Sequence, residues 1–271
     1  MVNTVNQSNT IGNYRIQIAD DASTLADDAA RLFVERANEA VQTRGMFYVA
    51  LSGGNTPRAL YEKLASDMYR DQIDWSLAQV FFSDERFVPQ DSPESNGRLA
   101  NDALLSRVPI NERFVHRVAT ENIPVEAAAA NYEEGIRRVF AVGLDETPRF
   151  DLILLGLGTD GHTASLFPDT AALTVDNHLV VPNFVPKLDT WRVTFTYPLI
   201  NAARCVAFLV SGHDKAEMAR RVLAMDRDLP ASGINPASGD LIWLFDRAAA
   251  PQTGSSQETV TTPGERANEG T

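Results

Sequence analysis

The chain has 271 residues, of which 44% are hydrophobic and 22% charged, and its formal net charge is −12. This length and composition are typical of a globular protein with enough chain to bury a core. The negative charge disfavours nucleic acid and anionic membranes as partners, because like charges repel. No apolar run approaches the roughly 20 residues that span a bilayer, and the N-terminus shows no signal-peptide pattern.

The ends of the chain differ in composition from its middle. Residues 1–12 are polar, and residues 251–271 are rich in Gly, Ser, Thr, Pro and Glu. Such segments bury too little apolar surface to offset their ordering entropy. The composition therefore predicts a flexible N-terminus over 1–12, a single α/β domain over 13–250 and a disordered polar tail over 251–271.

Helical and strand patterns alternate between these ends. Apolar residues recur at helical spacing from Leu25 to Val41, with Asp21 or Ser23 available as the N-cap. Further helices are predicted from Pro57 to Met68, from Ser95 to about Val108, and over 125–142 and 214–225. Short apolar runs predict strands at 46–51, 78–82, 113–118, 151–158, 191–197, 205–211 and 240–245.

Short apolar strands that alternate with helices predict a mostly parallel sheet with helices on both faces. In such sheets ligands bind beyond the carboxyl ends of the strands. We therefore expect the chemistry in the loops after Leu51, Phe82 and Gly158, joined by the segment after Ser211.

One cysteine, Cys205, lies inside the apolar run C-V-A-F-L-V. A single cysteine cannot form an internal disulfide, which favours a reducing compartment and a cytoplasmic location. Its surroundings predict a small buried strand residue rather than a nucleophile.

Gly156, Gly158 and Gly161 form a G-x-G-x-x-G directly after an apolar run, the spacing of the dinucleotide fingerprint. That fingerprint requires a helix running on from the third glycine, but Pro168 follows only seven residues later. The alternative is a tight turn that presents Asp160 and His162 at the sheet edge. The other histidines, His116, His178 and His213, lack metal-ligand spacing with His162, so no metal site is predicted.

Two more loops carry polar residues at predicted strand ends. In S-G-G-N-T-P, Gly53 and Gly54 let the backbone approach a ligand, and the free N–H groups at a helix start attract anions. A plain turn with Thr56 as N-cap is the alternative. In S-D-E-R-F-V-P, the charges are either a solvated turn or a site where Arg86 binds an anion.

Three segments together resemble the 6-phosphogluconolactonase family: A-L-S-G-G-N-T-P-R-A-L, F-F-S-D-E-R-F-V-P-Q-D-S-P-E-S-N and D-L-I-L-L-G-L-G-T-D-G-H-T-A-S-L-F-P. The resemblance extends over about residues 14–250. It implies the glucosamine-6-phosphate deaminase/ribose-5-phosphate isomerase type of fold, a parallel α/β sheet with a smaller appended part. Deaminases of this fold usually continue the histidine motif with I-A-F-N-E-P, whereas this chain has T-A-S-L-F-P. Asp169 and Gly97 depart from the family pattern, which often has Gly and an aromatic residue there.

The resemblance implies hydrolysis of 6-phospho-D-glucono-1,5-lactone without a cofactor. His162 is then expected to be the general base, oriented by Asp160. Ser52 and Ser165 are expected to form hydrogen bonds rather than act as nucleophiles. The residues expected to bind the substrate and its phosphate are Gly53, Gly54, Asn55, Thr56, Asp84, Arg86, Gly158, Arg192 and Lys215.

Several alternatives stay open at this point. Arg192 is also consistent with a strand-edge surface charge, and Lys215 with an ordinary helix residue. A deaminase or isomerase would use Asp84 or Glu85 as a base, and a non-catalytic sensor would bind 6-phosphogluconate without turnover. We expect a monomer or small homo-oligomer with a small-molecule partner and neither nucleic acid nor membrane.

Overall fold

The computed structural model of the protein describes residues 7–11, as backbone, and 14–251. Its strands, in chain order, are β1 Gln7–Ile11, β2 Tyr14–Ala19, β3 Phe47–Leu51, β4 Ala78–Phe82, β5 Asp84–Arg86, β6 Leu152–Leu155, β7 Val180–Val185, β8 Thr190–Phe195, β9 Cys205–Val210 and β10 Asp240–Asp246. The α-helices are α1 Ala22–Arg44, α2 Asn55–Leu64, α3 Asn96–Ala103, α4 Val125–Phe140, α5 Tyr197–Asn201 and α6 Ala216–Leu223. None of these helices has both the length and the apolar composition needed to cross a bilayer.

The main sheet has the strand order β1-β2-β10-β9-β6-β3-β4. Its strands are parallel except β1, which pairs antiparallel with β2. One buried apolar cluster packs α1, α2 and α3 against the sheet, and a second packs α4, α5 and α6 against the other face. The predicted mostly parallel sheet with helices on both faces is confirmed.

A second, three-stranded sheet has the order β5-β8-β7 and is antiparallel. The sequence predicted β8 as a strand but did not predict β5 or β7. Pro182 interrupts the apolar pattern of β7, and the structure accommodates it because β7 is an edge strand, where a missing N–H is tolerated. The turn Pro186–Leu188 joins β7 directly to β8, so this pair is antiparallel rather than part of the parallel sheet.

One expectation from the sequence requires correction. The segment over 113–118 is not a strand: Glu112–Phe114 forms a 3-10 turn, and only Val115 makes an isolated bridge, to Val80. Residues 7–11, part of the N-terminal segment predicted to be flexible, form β1 and pair with β2, and the flexibility of this segment stays a prediction. The remaining residues of that N-terminal segment, and the predicted tail after Pro251, lie outside the described residues.

The order of the strands creates a crevice between β3 and β6. After β3 the chain moves outward to β4, whereas after β6 it moves the opposite way to β9 and β10. The connections that leave neighbouring strands β3 and β6 therefore diverge, and they leave space beyond the carboxyl ends of those strands.

Two buried tyrosines fix the carboxyl ends of β3 and β4. The Tyr61 hydroxyl, on α2, accepts from the Ser52 N–H at 2.9 Å and donates to the Ser52 carbonyl at 2.6 Å. Tyr132, on α4, accepts from the Phe82 N–H at 2.8 Å. Each hydroxyl thus satisfies backbone groups at a point where the sheet ladder ends.

We expect Tyr61→Phe to destabilise the protein by about 1–3 kcal/mol, because it leaves the buried Ser52 N–H and carbonyl without partners. Urea unfolding of the variant measures this difference. Tyr69→Phe is the matched control, since its hydroxyl makes only a 3.5 Å contact with the Asp27 carbonyl. Equal stability of the two variants would contradict the anchoring role of Tyr61.

Candidate active site

The crevice between β3 and β6 opens into a cavity of about 220 Å³. Residues from the loops after β3, β4 and β6 and from the segment after β9 form its walls, as the sequence predicted. The lining residues are Ser52, Gly53, Gly54, Asp84, Arg86, Asn96, Gly156, Leu157, Gly158, His162, Ala164 and Lys215.

The glycine motif after β6 forms a tight turn around His162. The Gly158 N–H donates to the His162 carbonyl at 2.8 Å, and Gly161 has a φ of +79°, a conformation that favours glycine. A Cβ on Gly158 would lie 2.0 Å from His162 Nδ1. Turns rather than a helix follow Gly161, so this motif lacks the helix that a dinucleotide fingerprint requires.

Asp160 fixes the ring of His162. Its Oδ1 lies 2.5 Å from His162 Nδ1 and 3.2 Å from the backbone N of the same residue. The Phe167 ring stacks on the imidazole, with ring centroids 3.9 Å apart. With Nδ1 held by Asp160, Nε2 is the ring nitrogen left for the cavity.

The pKa of His162 is lowered to about 4, mainly by burial. The nearby charges of Lys215, Arg192 and Arg86 lower it further, and Asp84 opposes them. The imidazole is therefore neutral at pH 7, the protonation state that can accept a proton.

Asp84 is the centre of a buried hydrogen-bond network on the cavity wall. Ser165 Oγ donates to Asp84 Oδ2 at 2.6 Å, and Asn96 Nδ2 donates to its Oδ1 at 3.2 Å and to its carbonyl at 2.9 Å. The Ser165 N–H in turn donates to Thr194 Oγ1 on β8. Ser165 thus forms hydrogen bonds, as expected, and the network joins the second sheet to the loop that carries His162.

Glu85 points away from the cavity and binds the start of α3. Its carboxylate accepts from the N–H groups of Asn96 and Gly97, both at 2.7 Å, and from the Arg86 N–H at 2.8 Å. Burial raises the pKa of Glu85, and these hydrogen bonds act in the opposite direction. Asp84 and Glu85 are only 6% and 5% exposed, so the solvated-turn alternative for this segment is wrong.

Two cationic side chains, Arg86 and Lys215, line the cavity, and Arg192 does not line it but is near enough for its charge to act on His162. Arg86 and Arg192 are register partners on β5 and β8, and Lys215 lies in the 3-10 turn before α6. Arg192 is 8% exposed, and its Nε and Nη1 make no hydrogen bond to the described part of the chain. Burial, and then the charge of Arg86, lowers the pKa of Arg192. A buried guanidinium without partners is costly, so this position is suited to an anionic ligand.

Lys215 lines the cavity, so it is more than an ordinary helix residue, and Arg192 is not a surface charge. These cations form the local cluster that an anion would need against a net charge of −12.

The loop S-G-G-N-T-P contributes backbone rather than side chains. Gly53 and Gly54 line the cavity, whereas the Asn55 side chain is exposed and Thr56 is half-buried, and neither lines it. Gly54, with a φ of +107°, is the N-cap of α2 and no side chain caps the helix, so the Thr56 alternative is wrong. The N–H groups of the first turn stay available to an anion.

Sequence reasoning missed three residues of this site. Asn96 received no role in the site, yet its Oδ1 is buried without a hydrogen-bond partner among the described residues and packs against Gly53. Phe167 and Lys187 were not considered, although Lys187 forms an ion pair with Asp160. Asn96 was included only as the last residue of the segment F-F-S-D-E-R-F-V-P-Q-D-S-P-E-S-N, and no local pattern indicated Lys187. Within residues 14–251, no group of three or more His, Cys, Asp and Glu side chains is placed to hold a metal ion.

Comparison with known proteins identifies the family. Residues 20–243 match the family model described as "Glucosamine-6-phosphate isomerases/6-phosphogluconolactonase". The chain belongs to this family.

Family members with assigned names include cyanobacterial proteins. A 6-phosphogluconolactonase of Synechocystis sp. is 42% identical over 238 residues, which cover 87% of this chain and 96% of the relative. A 6-phosphogluconolactonase of Nostoc sp. is 38% identical over 88% of this chain and 97% of its own. The crystal structure of 6-phosphogluconolactonase from Thermotoga maritima has a TM-score of 0.74 at 31% identity and covers 86% of this chain and 99% of that one.

The fold extends beyond lactonases. A monomeric glucosamine-6-phosphate deaminase has a TM-score of 0.72 at 22% identity, covering 86% of this chain and 98% of its own, which shows a shared fold.

Asp169, where the lactonase pattern often has glycine, has a φ of +60°. The left-handed backbone is thus kept at this turn at some steric cost to the aspartate.

We expect Gly53→Ala to lower activity toward 6-phosphogluconolactone by roughly 100-fold, because displaced groups around a cavity misplace the substrate. The new Cβ would lie 1.8 Å from Asn96 Oδ1, and Asn96 is held by Asp84 and cannot easily move away. Gly135→Ala, inside α4 with no atom within 4 Å of the new Cβ, is the control and should retain full activity. Full activity of the Gly53 variant would rule out close packing as the reason for glycine here.

Proposed function

We propose that the protein hydrolyses 6-phospho-D-glucono-1,5-lactone to 6-phosphogluconate in the oxidative pentose phosphate pathway, with His162 as the general base. The observation that carries this proposal is the His162 imidazole on the cavity wall, with Nδ1 bound to Asp160 and cations nearby. The names of relatives 38–42% identical over most of the chain support the same substrate.

The cation cluster and the start of α2 form the phosphate-binding end of the cavity. Arg86, Arg192 and Lys215 supply positive charge, and the backbone at Gly53 and Gly54 supplies N–H groups. The Asp84 carboxylate, fixed by Ser165 and Asn96, is suited to accept hydrogen bonds from sugar hydroxyls. The lactone carbonyl then lies toward His162.

The reaction needs one base and no covalent nucleophile, because a lactone is already an activated ester. Water attacks the carbonyl carbon while His162 Nε2 takes one of its protons, and a tetrahedral oxyanion forms. The Arg86 guanidinium, or backbone N–H groups of the glycine turns, stabilises this oxyanion; the N–H groups of Gly158 and Gly161 are excluded because they already donate within their own turn. The bond from carbon to the ring oxygen then breaks, and the imidazolium returns its proton to that oxygen.

Substrate binding strengthens the base in this scheme. In the free protein Lys215, Arg192 and Arg86 lower the pKa of His162. A bound phosphate dianion neutralises part of that positive charge and favours the imidazolium. The imidazole thus becomes a better proton acceptor when a phosphorylated substrate is present, which favours phosphorylated over plain lactones.

A deaminase or isomerase would need a carboxylate to move a carbon-bound proton. Glu85 is poorly placed for that role, since both of its oxygens accept backbone N–H groups outside the cavity. Asp84 does line the cavity, so turnover of glucosamine 6-phosphate is the assay that distinguishes this alternative. A non-catalytic sensor would bind 6-phosphogluconate and hydrolyse nothing.

We expect His162→Ala to lower the rate of lactone hydrolysis by about 10²–10⁴-fold, the usual contribution of a general base. The lactone is made in situ and the rate is corrected for spontaneous ring opening. His178→Ala is the control, because that half-exposed side chain lies outside the cavity. A variant that keeps most of its activity would exclude His162 as the base, and an inactive wild type would exclude lactone hydrolysis.

We expect Arg192→Gln to weaken binding of 6-phosphogluconate at least about tenfold, since a hydrogen bond to a charged group contributes about 1.5–3 kcal/mol. Isothermal titration calorimetry measures the Kd. Arg138→Gln, which removes an exposed arginine paired with Glu134, should bind as the wild type does. Unchanged affinity of the Arg192 variant would place the phosphate elsewhere.

A further inference from the structure

Lys187 lies at the edge of the site, in the Pro186–Leu188 turn between β7 and β8. Its side chain is 51% exposed, and its Nζ forms an ion pair with Asp160 Oδ2. The same Nζ lies 4.8 Å from the centroid of the Phe167 ring, a cation–π contact. Lys187 does not line the cavity itself.

The two groups that Lys187 contacts are the two that hold the His162 ring. Asp160 binds His162 Nδ1 through Oδ1 and Lys187 through Oδ2, and Phe167 stacks on the imidazole. Three side chains in contact therefore connect solvent with the cavity, in the order Lys187, Asp160 and His162. Lys187 belongs to the second sheet's β7–β8 connection, whereas Asp160 and His162 belong to the loop after β6.

We propose that Lys187 is a positioning residue whose ammonium fixes the Asp160 carboxylate and offsets its negative charge. Asp160 then orients the His162 ring without stabilising the protonated imidazolium. This inference rests on the proposed role of His162 as the base. Without a counterion, a carboxylate 2.5 Å from Nδ1 would stabilise the imidazolium strongly, and a protonated ring accepts no proton.

The charges that face His162 from other elements act alongside this pair. Asp84 favours the imidazolium, whereas Lys215, Arg192 and Arg86 disfavour it. Those three cations are assigned to the substrate phosphate. In the complex, the phosphate charge would cancel much of their effect on the pKa of His162. Lys187 pairs with Asp160, and neither residue lines the cavity, so the charge of Lys187 still acts when the phosphate is bound.

The chain offers a matched control for the loss of one lysine. The sequence has three lysines, Lys63, Lys187 and Lys215. Lys63 also forms an ion pair with an aspartate, Asp27, at 3.0 Å, and its side chain is 35% exposed. This pair joins α2 to α1 and does not involve any cavity-lining residue. Lys63→Gln therefore removes the same charge and a comparable contact away from the site.

The test is an NMR titration of the His162 ring in the free protein, assigned with His162→Ala, for wild type, Lys187→Gln, Lys187→Arg and Lys63→Gln. We expect a wild-type midpoint well below the ordinary histidine value and an upward move of about half a pH unit or more in Lys187→Gln, since the Asp160 charge is no longer offset. Lys187→Arg and Lys63→Gln should keep the wild-type midpoint. In the pH profile of kcat for lactone hydrolysis, the apparent pKa on the acid side should move in the same direction as the NMR midpoint.

An unchanged midpoint in Lys187→Gln would overturn the proposal and leave a surface ion pair without effect on His162. A raised KM, or weaker 6-phosphogluconate binding, with an unchanged midpoint would overturn it in favour of a direct substrate contact. An arginine variant that moves the midpoint as far as glutamine would also contradict it, because charge is the property invoked. The titration needs no turnover, so failure of the proposed function appears separately, as absence of lactone hydrolysis by the wild type.

Discussion

The site depends on the strand order of the main sheet, in which the connections that leave β3 and β6 run in opposite directions. Parallel strands place all their carboxyl ends at one edge of the sheet, and connections that leave in opposite directions cannot fill the space between them. The cavity is therefore a consequence of strand order. Tyr61 holds the loop after β3 at this edge, and Tyr132 holds the end of β4.

Buried polar contacts convert this space into a specific site. Asp84 joins the loop after β4 to Asn96 at the start of α3 and to Ser165 after β6. Each of these groups would be costly to bury alone, and together they satisfy most of one another's hydrogen bonds. Among the described residues, the Asn96 carbonyl oxygen and part of the Arg192 guanidinium are buried near the cavity without hydrogen-bond partners and are suited to contact a polar ligand.

The electrostatics of the site oppose those of the whole chain. A net charge of −12 repels a phosphorylated substrate at long range, but screening confines that repulsion to about 10 Å at ordinary salt. Near His162 the charges of Lys215, Arg192 and Arg86 act together, and the charge of Asp84 opposes them. The same cations lower the pKa of the neighbouring imidazole, so phosphate binding and the protonation of His162 are coupled.

The sequence by itself determined the mostly parallel α/β class and the loops that meet at the sheet edge, because both follow from local patterns. Apolar periodicity marks helices and strands. Two residues that are close in a loop need not touch, so the contact between Asp160 and His162 was decided by the geometry of the turn. The second sheet, the burial of Arg192 and the contact of Lys187 with Asp160 were decided by the tertiary structure. Lys187 and Asp160 are far apart in the chain, and only the packing of the β7–β8 hairpin against the loop after β6 brings an ammonium and a carboxylate together.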